Sequence, residues 1–102
     1  AMNLIERVVE MKYFVVLLPM KDEEKSKAFR NDHLNYLEQK GKEGKIFAKG
    51  RFTDGTGGMV IYRASSFEEA EKLAKEDPYV VTGARGYEIH EWEMVSDAVL
   101  PN

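Results

Sequence analysis

The sequence predicts an α+β domain with the element order β-α-β-β-α-β, on three observations. An apolar run from Tyr13 to Leu18 stops abruptly at Pro19. Two later segments carry apolar residues at helical spacing, Phe29 to Lys40 and Phe67 to Ala74. Between those two segments, a pair of short apolar stretches flanks a turn-rich link, Thr53-Asp54-Gly55-Thr56-Gly57-Gly58.

Each element has its own warrant. Lys12 to Leu18 reads as a central strand, because nearly every position is apolar and both faces need cover. Proline then ends it. A single helix is expected from about Asp22 to Lys40, with Asp22 as N-cap and Glu23 and Glu24 at the positive end of its dipole. Phe29, His33, Tyr36, Leu37 and Lys40 share one face of it, and Gly41 and Gly44 are expected to end it. Strands at Ile46–Phe52 and Met59–Arg63 should pair as an antiparallel hairpin.

Ser65 with Glu68, or Ser66 with Glu69, can form a capping box at the start of the next helix. Phe67, Ala70, Leu73 and Ala74 make its apolar stripe. Asp77-Pro78 ends it, since the residue before proline is pushed out of the α region. Tyr79 to Thr82 allows one further turn before Gly83, and Tyr87 to about Met94 is the last strand. Its faces divide Tyr87, Ile89 and Glu91 from Glu88, His90 and Trp92.

Two β-α-β units in series form a ferredoxin-like βαββαβ fold, a four-stranded antiparallel sheet with both helices on one face. The other face then needs cover, because the first strand is apolar on both sides and Phe47, Phe52 and Trp92 add to the surplus. A second copy of the chain is the simplest cover, so a homodimer is expected. Residues 1–10 read as an N-terminal arm or a non-native remnant, 11–95 as the domain and 96–102 as a C-terminal tail.

Composition narrows the function. The formal net charge is −3, with 15 basic residues interleaved among 18 acidic ones, so no basic stripe for nucleic acid is formed. The apolar run is far shorter than the ~20 residues of a membrane span. The sequence has no cysteine, which excludes disulfides and thiolate catalysis and fits a cytoplasmic setting. No phosphate loop, dinucleotide fingerprint, nucleophile elbow or His-Glu-x-x-His is present, so neither a cofactor nor a metal is expected.

What remains is a small set of polar candidates. His33 sits on the inward face of its helix, where an imidazole is either a structural group with a partner or a proton carrier. Asp77 is either a helix terminator or the carboxylate that orients His33. Arg30, one turn before His33, could steer an anion or make a surface ion pair. Tyr79 and Arg85 flank the Asp77 turn as further candidates for substrate contact. Asp54 reads as a turn residue and His90 as an exposed or interface residue.

Taken together, Arg30-x-x-His33-Leu34-x-Tyr36-Leu37, Gly44-Lys45-Ile46-Phe47-Ala48-Lys49-Gly50, Ser66-Phe67-Glu68-Glu69-Ala70, Asp77-Pro78-Tyr79 and a final strand ending at Trp92 resemble the YciI-like family. Order and spacing carry this likeness, over about residues 11–95. It implies a dimeric α+β barrel, distantly similar to muconolactone isomerases and small monooxygenases. By that resemblance His33 and Asp77 match an acid–base pair used in dehydrochlorination of a chlorinated hydroxyquinol. One departure stands out: Lys49-Gly50-Arg51-Phe52 replaces the small residue and Gly-Pro that many relatives carry there, which alters one pocket wall.

Three readings follow. The first is a cofactor-free lyase or isomerase on a small anionic or phenolic ring compound, with His33 and Asp77 as its acid–base pair. The second is a non-catalytic small-ligand-binding or accessory domain with a structural His33. The third is a monooxygenase of the related small-barrel type.

Overall fold

A computed structural model describes residues 11–98. Strand β1 (Lys12–Pro19) leads into two helices, α1 (Glu23–Ala28) and α2 (Arg30–Lys42). The hairpin β2 (Ile46–Arg51) and β3 (Gly57–Ala64) follows, then α3 (Phe67–Lys75), the short α4 (Pro78–Val81) and β4 (Glu88–Trp92). The sheet order is β2-β3-β1-β4 and every neighbouring pair is antiparallel. Each β-α-β unit thus has a strand of the other unit inserted in it, as the ferredoxin-like reading requires. Among the described residues no helix is long and apolar enough to cross a membrane.

The core lies between the sheet and the helices. Phe14, Val16 and Leu18 of β1 and Val60 and Tyr62 of β3 are buried under Leu37 of α2 and Leu73 and Ala74 of α3. Alternation along β1 sends Tyr13, Val15 and Leu17 to the other face, where they are only half-buried. In register beside them stand Met59, Ile61 and Arg63 of β3 and Glu88, His90 and Trp92 of β4. Trp92 is 42% exposed there.

The first helical segment departs from expectation. It is broken at Phe29, whose backbone (φ −106, ψ 14) ends α1 and starts α2 with no side-chain cap. Ala28 and Arg30 have good helix propensity, so local sequence does not cause the bend. It lies between two tertiary anchors, Ser26 bonded to Arg85 and His33 bonded to Asp77. Asp22 is the N-cap of α1 and accepts from the Lys25 amide at 3.1 Å. Gly41 stays inside α2, and Gly44 (φ +77) is the residue that turns the chain. The Gly44 amide donates to Gly41 O and the Lys45 amide to Lys40 O, the paired bonds of a Schellman ending.

Other boundaries shift for similar reasons. β2 ends at Arg51, and β3 begins early at Gly57, because Gly57 and Gly58 already pair with Pro19 and Leu18. Gly57 (φ +145) admits no side chain: a Cβ would stand 2.3 Å from Leu18 O. β4 is shorter than expected, Glu88–Trp92. Phe67 is exposed rather than part of the core stripe, because it opens α3 at the sheet margin and meets Phe14 only edge to face. Ser66 is the cap of α3: its Oγ accepts from the Glu69 amide, while Glu69 Oε1 reaches back to the Ser65 amide and hydroxyl.

Candidate active site

His33 owes its position to helical geometry. It lies one turn before Leu37 on the face of α2 that meets the sheet, and Leu37 is anchored in the core. Asp77 arrives from the far end of α3. Proline at the next position forces extended backbone on Asp77 (φ −63, ψ 128), which ends α3 and makes Asp77 the N-cap of α4. Its Oδ1 accepts from the Tyr79 amide at 2.9 Å. Capping therefore fixes the carboxylate before it meets any other side chain.

The two groups meet. His33 Nδ1 donates to both carboxylate oxygens of Asp77, at 2.8 and 3.0 Å. Asp77 is 1% exposed and His33 8%. With Nδ1 holding its proton toward Asp77, a neutral imidazole carries its lone pair on Nε2. Nε2 has no hydrogen-bond partner among the described residues, yet it is not sealed from solvent. This arrangement can take up and return a proton at one defined atom.

Tyr79 packs flat on the imidazole, with ring centroids 3.9 Å apart and planes 13° from parallel. The Arg85 guanidinium lies 4.4 Å from the centre of the same Tyr79 ring. Two planar groups so close to one centroid cannot share a face, so Tyr79 is held between His33 and Arg85. Arg85 Nη2 donates to Ser26 Oγ at 3.0 Å and Nη1 to Leu18 O at 3.4 Å. Behind the pair, burial raises the phenols of Tyr62 and Tyr36 above their usual range, and the Asp77 charge adds to both.

His33, Tyr79 and Arg85 line one cavity of about 540 Å³ between the helices and the β2–β3 hairpin. Leu18, Leu34, Leu37 and Val60 supply apolar wall. Arg30 stands exposed at its edge and makes no ion pair among the described residues. The cavity therefore gathers four of the five candidate residues, and Asp77 sits directly behind His33. Asp54 is a turn residue, its carboxylate accepting from the Thr56 amide and hydroxyl, which holds its pKa below the usual value. His90 is exposed and paired with Glu88.

Sequence reasoning missed Ser26, and it read Lys49 and Arg51 only as a departure from the family pattern. Ser26 lies seven residues before His33, a heptad spacing that could have flagged it. For Lys49 and Arg51 the signal is a β-bulge. The register shifts between Ile46 and Ala48, so Lys49 pairs with Val60 and Arg51 with Gly58. One extra residue reverses the alternation. Phe47 is thereby on the outer face, against Tyr13 at 5.3 Å, and the two cations face the cavity.

The chain matches the model of the YCII-related domain over residues 11–93. It is 30% identical over 82 residues to the uncharacterized protein YjpA of Bacillus subtilis strain 168, covering 80% of this chain and 96% of YjpA. Its fold is similar to that of 5-chloro-2-hydroxyhydroquinone dehydrochlorinase (TftG) from Burkholderia phenoliruptrix AC1100, solved in complex with 2,5-dihydroxybenzoquinone. That match has a TM-score of 0.68 at 22% identity, covering 79% of this chain and 93% of the other.

Proposed function

The chain belongs to the YCII-related family, and on that premise we propose that it is a cofactor-free acid–base enzyme, a lyase or isomerase acting on a small ring compound. The observation that carries this reading is the His33–Asp77 pair in the cavity wall, with Nδ1 tied to a buried carboxylate and Nε2 left open. Nε2 takes a proton from the bound ring. The freed electron pair enters the conjugated system. It then expels a leaving group as an anion, or it is reprotonated by the same imidazolium at another ring position. The first outcome is a lyase and the second an isomerase.

Asp77 orients the imidazole and stabilises the cation that forms transiently. The apolar wall of Leu34 and Leu37, beside the imidazole, suits a planar substrate. Arg30, Tyr79 and Arg85 are its binding residues in this reading. The dehydrochlorinase activity named for the similar structure fits the lyase branch. The half-buried outer sheet face is covered by a second copy, making the protein a homodimer.

Turnover tests the reading. A panel of hydroxylated and halogenated monocyclic compounds should include one that the wild type converts and His33→Gln does not. Full conversion by folded His33→Gln would sink it and favour the ligand-binding alternative.

A further inference from the structure

The cavity is strongly cationic in a chain whose formal net charge is −3. Lys27, Arg30, Lys49, Arg51 and Arg85 line it, and no carboxylate does. None of these five makes an ion pair among the described residues.

Arg85 is the most telling of them. It is only 9% exposed, and its Nε is buried with no hydrogen-bond acceptor. Its bonds go to neutral oxygens, Ser26 Oγ and Leu18 O. The buried carboxylate nearest in sequence, Asp77, already holds His33 and the Tyr79 amide. A buried guanidinium without an anion is costly, and folds keep one where an anion is to arrive. Its backbone is also pinned, with the Arg85 amide donating to Tyr79 O at 2.9 Å. At the opposite wall, the β2 bulge turns Lys49 and Arg51 inward.

We propose that the cavity binds a small organic dianion, with one carboxylate on Arg85 and Ser26 and the second acid group on Lys49 and Arg51. This rests on the cavity being the substrate site and adds its substrate class. Held by Arg85 beyond Tyr79, the ring is kept at a fixed offset from His33 Nε2.

Calorimetric titration of the full chain with benzoate, the three isomeric benzenedicarboxylates and neutral hydroquinone tests it. One charge-assisted contact corresponds to about tenfold in affinity. Benzoate should therefore bind about tenfold more tightly than hydroquinone, and one dicarboxylate isomer about tenfold more tightly again. Arg85→Gln should erase the benzoate advantage. The double variant Lys49→Gln/Arg51→Gln should erase only the second step. His33→Gln should keep anion binding while losing turnover, which separates failure of this subsite from failure of the acid–base reading. Equal binding of benzoate and hydroquinone overturns the proposal, as does wild-type benzoate affinity in folded Arg85→Gln. If Arg85→Gln does not fold, the wild type and Ser26→Ala decide: benzoate binding insensitive to salt and to Ser26→Ala overturns it.

Discussion

His33 Nδ1 stands 2.8 and 3.0 Å from the two oxygens of Asp77, a carboxylate 44 residues further along the chain. Both groups are buried, so neither can be removed alone without consequence. His33→Ala strands a carboxylate whose one remaining bond is to the Tyr79 amide, and should cost about 3–5 kcal/mol of stability. Asp77→Asn is milder. An asparagine oxygen can accept from both Nδ1 and the Tyr79 amide, so the loss should be about 1–3 kcal/mol. Catalysis, in contrast, should fall about 10²–10⁴-fold, because the imidazolium loses its counter-charge. Chemical denaturation and kcat on a confirmed substrate measure the two effects separately.

Two tyrosines near this pair, Tyr36 half-buried and Tyr62 buried, should respond oppositely to loss of the hydroxyl. Tyr36 donates to Leu73 O at 2.7 Å and so satisfies a carbonyl at the end of α3. Tyr36→Phe should destabilise by about 1 kcal/mol. The Tyr62 hydroxyl is buried with no partner among the described residues. Tyr62→Phe should be neutral or stabilising by up to about 1 kcal/mol. Thermal unfolding of both variants checks the contrast, and equal destabilisation would contradict it.

Acid stability should depend on Glu69. The Ser65 amide and hydroxyl hold its carboxylate below the usual value of 4.5. Its folded pKa is therefore depressed. The stability it contributes is present above the unfolded value and is lost as pH falls through the folded one. Glu69→Gln should flatten that part of the acid limb and leave the curve above pH ~6 parallel to wild type. Ser66→Ala, which removes the cap itself, should cost about 1 kcal/mol at every pH. Melting temperatures from pH ~3 to ~7 distinguish the two patterns.

Local signals and long-range ones were not equally legible. Strand β1, the hairpin and the Asp77-Pro78 stop could be read because apolar runs, glycines and proline act on adjacent residues. The inward face of His33 followed from its spacing to Leu37, and the Asp-Pro turn made Asp77 a candidate. Their distance was invisible, because it depends on how α3 packs beside α2. Three features escaped for the same reason. The break at Phe29 lies between Ser26 and His33, whose partners Arg85 and Asp77 are distant in sequence. Phe67 looked like core but sits at the sheet margin. Lys49 and Arg51 could be read as altering a pocket wall, but that both point inward depends on the bulge in β2.

The outer face of the sheet provides the last prediction. Tyr13, Val15 and Leu17 run along its centre, with Met59 and Ile61 beside Leu17 and Val15. His90 and Glu88 of β4 border them on the other side. This apolar stripe is wide enough to favour association, and its charged margin limits how partners can align. If a second copy covers it, Val15→Lys places a cation opposite its own symmetry mate or against apolar surface. Val15 is half-buried and points away from the helices, so the protomer fold should survive. Light scattering after gel filtration should then report a dimer for wild type and a monomer for Val15→Lys, with matching circular dichroism. A wild type that runs as a monomer at high micromolar concentration would refute the homodimer. A Val15→Lys protein that stays dimeric would move the interface elsewhere.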